Sequence, residues 1–477
     1  MNKDKPTIIL INPPDLINTN NYLKASELMK IPPVNILSLA TYIRSRNPEL
    51  NVIVKDYLVE RYSEKEFVSL IRAQGLFLVG ITTFSTEIYS VFKLSQLIKK
   101  INDRISIVLG GPHLELFPKE TIEQHFVDFV CQGEGEVALY CLIERLLNNV
   151  QPDGIDNIWV KKDNKIVAPN KCNVLSFEKF EDYPSIDLDF IDLRKYFHPF
   201  LYKGKGVIPI ITSRGCPFKC IFCNSSNKIN RATKIASILD EIEYKVNRYN
   251  VKNVFIIDDT FNINYQRVNE LSKGIIDRNI KIAWAFRGRV NALDHETLKI
   301  AKKSGLVHVA LGIEDFSDDG LRLIKKGITV SSVKELFKIC HGLGIKTTAN
   351  FMVGFPHNQD PKKQIKLIDF IKELDPTTIQ NSVLELIPGS SIYDLAVESK
   401  IISGQEWMSQ SLNPKPDFVI PKWEEGMSKE EQYVVNTKIN KIFYNNIKYL
   451  AKRFMEIRSL REFFIKTKVG LYLLLRK

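Results

Sequence analysis

No stretch of this 477-residue chain approaches the roughly 20 consecutive apolar residues that a bilayer-spanning helix needs. A secretory core is missing too. After the polar start Met1–Lys5, the apolar run Ile8–Ile11 is short and stops at Asn12-Pro13-Pro14, so it reads as a first strand. A cytoplasmic protein is therefore expected. There is no internal repeat, no low-complexity tract and no nucleic-acid-binding motif. That last absence matters because the formal charge is +12. A basic balance otherwise points to nucleic acid, an anionic membrane or an anionic substrate. The cysteines number seven, an odd count, and three crowd into residues 216–223. That disfavours a disulfide framework and suits reduced thiolates on a metal.

With 44% hydrophobic and 26% charged residues, the chain can bury a sizeable core, and its length predicts two or three domains. Up to residue 150 short apolar segments alternate with amphipathic ones. Strands are expected over 8–12, 52–56, 77–82, 105–109 and 128–131, with helices over 64–73, 87–102, 119–125 and 136–147. This is the pattern of a doubly wound, Rossmann-like α/β domain. Residues 151–205 read as a linker with a small hairpin turning at Lys162-Asp163-Asn164-Lys165. A second alternation fills 206–400. Its strands are expected over 207–212, 253–257, 282–285, 308–311, 347–352 and 378–384. Helices are expected over 234–248, 266–277, 294–303, 332–341 and 361–373. Six such units suggest a partial barrel of parallel strands, with chemistry at the C-terminal strand ends. Residues 401–477 are expected to form a helical extension.

The segment Thr212-Ser213-Arg214-Gly215-Cys216-Pro217-Phe218-Lys219-Cys220-Ile221-Phe222-Cys223-Asn224 directly follows the first of these six strands. Its cysteines are spaced C-x3-C-x2-C. Thiolates suit iron–sulfur clusters and zinc. Structural zinc normally closes with four ligands, and no fourth cysteine or histidine stands within the loop. Three thiolates on a cubane leave one iron open. Cys131, Cys141, Cys172 and Cys340 lie in apolar settings and read as small core residues.

This cysteine motif, with Phe222 before its last cysteine, resembles that of the radical S-adenosylmethionine (SAM) superfamily. The resemblance implies a 4Fe–4S cluster on Cys216, Cys220 and Cys223. Its open iron would chelate SAM, whose reductive cleavage yields a hydrogen-abstracting 5′-deoxyadenosyl radical. Further stretches resemble one branch of the superfamily. Asp258-Asp259-Thr260-Phe261 falls where the family places residues near the SAM amino group. Trp284 through Arg289-Val290-Asn291 offers Arg289 as a SAM contact. Gly312-Ile313-Glu314 places Glu314 near the ribose, and Lys325-Lys326-Gly327 continues it. Gly354-Phe355-Pro356 would let backbone approach the adenosyl group, and Pro388-Gly389-Ser390 matches a family turn.

The first half resembles the cobalamin-binding domain fused to many such enzymes. The matching stretches are Asn12-Pro13-Pro14, Gly80-Ile81-Thr82-Thr83, Gly110-Gly111-Pro112-His113 and Gly133-Glu134-Gly135-Glu136. Thr82, Thr83 and Ser85 would hydrogen-bond cobalamin. Gly110 and Gly111 would admit its nucleotide tail, and Gly133 and Gly135 would open a helix toward it. The cobalt-ligating motif D-x-H-x-x-G is not met: Asp56-Tyr57-Leu58-Val59-Glu60-Arg61 has neither the histidine nor the glycine. His113, beside the tail loop, reads as hydrogen-bonded structure rather than a ligand.

Together these resemblances imply a cobalamin-dependent radical SAM C-methyltransferase acting on an unactivated carbon. The rival readings are an oxidative cyclase or rearrangement enzyme, and a non-catalytic cofactor-binding module. The implied partners are a small-molecule or lipid-like substrate and a flavodoxin- or ferredoxin-type electron donor. The basic stretch from Lys441 onward reads as a solvated cap or as a peripheral contact with an anionic membrane.

Overall fold

A computed structural model describes residues 5–17, 29–163, 165–173, 175–455 and 457. The chain divides into two compact units. One comprises residues 1–195 with 404–419, the other residues 196–403 with 420–477.

The sheet of the first unit has seven strands: β1 Thr7–Asn12, β2 Asn51–Asp56, β3 Leu76–Thr82, β4 Ser106–Gly110, β5 Phe129–Cys131, β6 Ile158–Lys162 and β7 Lys165–Val167. Their order is β2-β1-β3-β4-β5-β6-β7, the first five parallel and the last two antiparallel. Every residue of β1 is buried, as expected for a parallel strand covered on both faces. The hairpin expected in a linker forms β6 and β7 and extends this sheet instead, because β6 finds the open edge of β5. Helix Glu64–Ile71 starts where the Ser63 side chain accepts the Glu66 N–H. Helix Val34–Arg46 was not expected. It follows Pro33 with no side-chain cap and buries Ile36, Leu37, Ala40, Thr41, Tyr42 and Ile43 around much of its circumference, so no clear apolar stripe betrays it. Helix Glu406–Leu412, expected within a C-terminal extension, packs on helix Pro118–Ile122 of the first unit, with Trp407 only 1% exposed.

The second unit is built on an open six-stranded parallel sheet ordered β15-β14-β13-β12-β11-β8. Its strands are β8 Ile208–Ile210, β11 Asn253–Ile256, β12 Ala283–Gly288, β13 Leu306–Glu314, β14 Lys346–Val353 and β15 Thr378–Val383. A two-stranded ribbon, β9 Ser213–Arg214 and β10 Arg231–Ala232, stands apart from it. The faces separate by period two. Trp284 and Phe286 turn to the helices, where Trp284 Nε1 donates to Ser304 Oγ at 3.0 Å. Phe351 meets Phe370 of helix Leu367–Leu374. Phe255, Ala285, His308 and Lys346 form one row on the inner face, and Arg287, Ala310, Thr348 and Thr378 form the next. β13 runs longer than expected because a register shift between Gly312 and Glu314 carries it to its polar end. Four of its helices start on Asn264, Asp294, Ser317 and Thr329, each side chain accepting a first-turn N–H.

Of the remaining cysteines, Cys131 and Cys340 are buried as expected. Cys141 is only half-buried, and Cys172 is exposed, because it sits in the irregular segment after β7. Among the described residues no helix is long and apolar enough to cross a membrane. The basic stretch beyond residue 457 lies outside the described residues.

Candidate functional site

The cysteines of the second unit sit on a loop closed at its neck. β9 pairs with β10 through Arg214 and Arg231 and through Ser213 and Ala232. Gly215 has φ +87°, and a side chain there would strike the Ile229 carbonyl. Inside the neck, Asn230 Nδ2 donates to the Gly215 carbonyl at 2.7 Å, the Lys228 N–H to the Cys216 carbonyl at 2.9 Å and the Asn227 N–H to the Phe218 carbonyl at 2.7 Å. The far side is tied as well. The Ile221 N–H donates to the Ile324 carbonyl, the Ile392 N–H to the Ile221 carbonyl, and Asn224 Nδ2 to the Pro388 carbonyl.

Asp258 fixes where this loop begins. Its carboxylate accepts the Thr212 N–H at 2.6 Å, the Thr212 hydroxyl, and the Ser213 hydroxyl at 2.8 Å. Burial raises its pKa, and these hydrogen bonds pull it back. Both carboxylate oxygens are thus engaged by the loop. Asp258 therefore braces the start of the loop. Arg267, which the sequence reading did not single out, completes the bracket. Its guanidinium donates to the Thr212 carbonyl and hydroxyl and to the Thr233 carbonyl. Asp259 is exposed and accepts the Gly215 N–H at 3.1 Å.

The thiols share this loop and meet polar partners. Cys216 Sγ lies 3.4 Å from the Thr260 hydroxyl, and Arg289 Nη1 donates to Cys220 Sγ at 3.4 Å. Burial raises the Cys223 thiol, and the neighbouring Cys220 and Cys216 add to the rise. Among the described residues no three His, Cys, Asp or Glu side chains already stand in metal-holding geometry; the sulfurs point to these protein partners. Their chemistry still fits a cluster: three soft ligands on one short loop, with a hydroxyl beside Cys216 and a guanidinium beside Cys220. A bound cluster would turn mutual repulsion into shared attraction.

Arg289 is 6% exposed and held from several sides. Its guanidinium lies 3.8 Å over the Phe218 ring and donates to the Lys326 carbonyl. Its backbone exchanges hydrogen bonds with the Asn262 amide in both directions. Its Nε has no partner. Glu314 ends β13 at φ +77°, costly for a non-glycine residue, and accepts from the buried Lys326 at 3.0 Å. A side chain at Gly312 would displace this pair. Phe222 meets Phe355 edge-on at 5.7 Å. Gly354 has φ +93°, and its open side is filled by the Gln432 amide, so its neighbour here is protein.

The crevice of the first unit lies at a topological switch point. Strand order reverses between β1 and β3, which leaves a gap outside their C-terminal ends where doubly wound sheets bind ligands. Thr82 and Thr83 end β3 there. Asn35 Nδ2 donates to the Thr82 hydroxyl at 2.9 Å. The Thr83 N–H donates to the Gly110 carbonyl at 2.7 Å, and the His113 N–H to the Thr83 carbonyl at 3.1 Å. Gly111 has φ +109°. A Cβ there would stand 2.9 Å from the Thr83 carbonyl oxygen and 3.0 Å from its nitrogen. This glycine therefore lets two strand ends close on each other. Gly110 would meet only Cys131 at ordinary distance. Gly133 backs onto Asn173 and Asn157, and Gly135 onto Leu39. Glu134 and Glu136 are occupied: Glu134 accepts from Tyr183 and the Ser176 N–H, Glu136 from Ser38 and Ser176.

Ser85 Oγ lies 2.9 Å from His113 Nδ1. His113 is 1% exposed, its Nε2 has no partner, and burial lowers its pKa to about 4. A neutral imidazole with one buried unpaired nitrogen fits a polar ligand group at this crevice. Asp56, where a cobalt-ligating motif would begin, instead accepts from Asn12 Nδ2 and the Leu58 N–H.

Comparison with known proteins agrees with both halves. Residues 210–368 match the radical SAM superfamily model, and residues 23–143 match the B12-binding domain model. This chain is a B12-binding domain fused to a radical SAM domain. The chain is 27% identical to an uncharacterized methyltransferase of Pyrococcus horikoshii, over 84% of this chain and 85% of that one. It is 28% identical to the anaerobic magnesium-protoporphyrin IX monomethyl ester cyclase of Rubrivivax gelatinosus, over 68% of this chain and 59% of that one. Its fold matches the cobalamin-dependent SAM radical enzyme OxsB, solved with aqua-cobalamin and SAM bound. The TM-score is 0.68 at 17% identity, covering 98% of this chain and 71% of that one. The cofactors of this architecture are a 4Fe–4S cluster, SAM and cobalamin.

Proposed function

We propose that the protein is a cobalamin-dependent radical SAM methyltransferase acting on a carbon of a small-molecule substrate. The main support is the pinned loop that carries Cys216, Cys220 and Cys223 at the C-terminal end of a parallel sheet, in a chain that also holds a B12-binding domain. When bound, the cluster with SAM supplies one-electron chemistry at an unactivated carbon, and cobalamin supplies methyl carriage. The rest falls to the chain's own residues. The three thiolates would hold the cluster. Asp258, Thr212 and Arg267 fix the loop that presents them. Arg289 keeps positive charge against Cys220, the location a SAM carboxylate would share. Phe222 packs edge-on against Phe355 beside the last two cysteines. Thr82, Ser85 and His113 would meet cobalamin.

The test is product analysis with methyl-labelled SAM and anaerobically reconstituted protein under reductant. The expected result is label in the substrate, with 5′-deoxyadenosine and S-adenosylhomocysteine formed together. Neither product would end the enzyme reading. Deoxyadenosine without S-adenosylhomocysteine would favour oxidative cyclisation, the second reading, which the likeness to a cyclase supports. A flavodoxin- or ferredoxin-type protein is the proposed electron donor. Exposed Ile447, Phe454 and Met455 on the last described helix support a peripheral membrane contact; absence of pelleting with anionic vesicles at low salt would remove it.

A further inference from the structure

On the inner face of the six-stranded sheet, Arg287 and His308 have no carboxylate acting on them among the described residues. Arg287 stands on β12 between Ala285 and Gly288, in the row with Ala310, Thr348 and Thr378. Its guanidinium lies 5.8 Å over the Phe255 ring, and among the described residues it has no hydrogen-bond or ion-pair partner. Solvent reaches the residue, yet surrounding protein lowers its pKa. Arg287 thus stays open to solvent on the inner face, over Phe255 and next to the row that holds His308. Arg287 is itself one of the basic groups acting on His198 and His308, so its guanidinium is free to take an anion.

Its neighbours point the same way. His308, in the row beneath, is 3% exposed. Its Nε2 lies 2.8 Å from the Thr348 hydroxyl, while its Nδ1 is buried without a partner. His198 and Phe200, from the segment entering this unit, close the floor by packing on Phe255 and His308. Both histidines are pushed toward neutrality, first by burial and then by basic neighbours; no carboxylate acts on either or on Arg287. Nothing in the proposed cofactor chemistry uses these groups. The polar contacts of the cysteine loop run to Asp258, Arg267 and Arg289.

We propose that the inner face holds an oxyanion-recognition site for the substrate, with Arg287 as the principal donor and His308 Nδ1 beside it. The substrate then carries a carboxylate or phosphate group that enters the sheet's concave side and directs the reacting carbon toward the cysteine loop. This rests on the proposed function and adds the substrate's charge class. Arg287 suits the role because a planar guanidinium grips two oxygens at once.

The experiment uses the full chain, prepared anaerobically with its cluster, and follows thermal unfolding by circular dichroism in chloride of fixed ionic strength. Inorganic phosphate and malonate are the probes, compared between wild type, Arg287→Met, Arg287→Lys and the surface variant Arg322→Ala. Wild type and Arg322→Ala are expected to gain melting temperature with at least one probe. Arg287→Met should lose that gain, its affinity falling roughly tenfold or more, and Arg287→Lys should keep part of it. In chloride alone Arg287→Met should melt at or above wild type, because an unanswered charge has been removed. A purely structural arginine would do the opposite. Phosphate as the effective probe marks a phosphorylated substrate, malonate a carboxylic one. Equal gains in wild type and Arg287→Met, no gain in wild type with either probe, or a lower melting point of Arg287→Met in chloride would each overturn the proposal. So would weakened SAM retention by Arg287→Met in equilibrium dialysis, which would assign the arginine to SAM instead. Deoxyadenosine formation by the wild type is scored separately, so loss of the enzyme reading and loss of this site are told apart.

Discussion

The cysteine loop of the second unit and the crevice of the first both sit at the C-terminal ends of parallel strands, but they are held by different forces. The loop has little secondary structure beyond its β9–β10 neck, so charged and amide side chains reinforce its backbone bonds: Asp258 and Arg267 at its start, Asn230 at its neck. The crevice is walled by strand ends that the sheet already fixes. There, backbone meets backbone across Gly111, and side chains such as Asn35 and Ser85 add to it. Where a fold supplies the scaffold, a missing side chain is enough; where it does not, polar clamps must do the holding.

The sharpest way to break that contrast is to remove a thiol. Cys216→Ala, Cys220→Ala and Cys223→Ala should each lose nearly all iron and deoxyadenosine formation while retaining cobalamin, as read by iron assay and visible spectrum. Concurrent loss of cobalamin would mean the two sites are not independently held. Next, Asp258→Asn weakens the grip on Thr212 and Ser213 and leaves Arg267 without its carboxylate. Cluster retention or activity should fall roughly 10–100-fold, as for other residues that orient metal ligands. Unchanged iron content and rate would deny Asp258 its bracing role.

His113 tests the first unit through pH. Folding keeps it neutral, with its pKa near 4 rather than its ordinary 6.5, so between those values the unfolded chain binds the extra proton. Stability should be full above about 6.5 and fall as pH drops toward about 4, by on the order of 3 kcal/mol. Denaturant melts of His113→Phe should show a flatter acid slope than wild type. His198, lowered to about 3 by burial in the second unit, leaves part of the slope in place. Parallel slopes in the two proteins would contradict the burial of His113. Gly111→Ala forces a Cβ against Thr83 at a positive φ and should cost about 2 kcal/mol, lowering cobalamin retention while iron content holds. The mildest test is a pair of cap removals, Ser63→Ala and Asp294→Ala, one in each unit. Each should cost about 1 kcal/mol; a much larger loss in either would mean the units differ in more than their sites.

The alternation of strands and helices was legible because parallel strands buried on both faces read as short apolar runs, as in β1, β3 and β11. The cysteine spacing was legible for the same local reason. Helix Val34–Arg46 was not, since burial around much of its surface erases the stripe that marks a helix. Nor was the joining of β6 and β7 to the first sheet, a pairing set by a distant edge. The motif residues were found, but their partners were not. Asp258 and Gly354 were read toward SAM, and Gly111 toward a nucleotide tail. The structure gives each a protein neighbour, respectively Thr212, Gln432 and Thr83. Close approach by protein and close approach by a ligand leave the same glycine in a sequence. Arg267 and Arg287 carried no signal, because a lone arginine becomes informative only once its neighbours are known.

The return of residues 404–419 to the first unit has a consequence for how the molecule is made. Chains emerge from the ribosome N-terminus first, and domains generally fold in that order. Here the N-terminal unit must wait. Trp407, and the Leu412 carbonyl that accepts from Gln124, are translated only after the whole six-stranded sheet. A nascent chain released at Lys195 would expose the face of helix Pro118–Ile122 that helix Glu406–Leu412 covers, so the first unit reaches its final form only after residues 404–419 have been made.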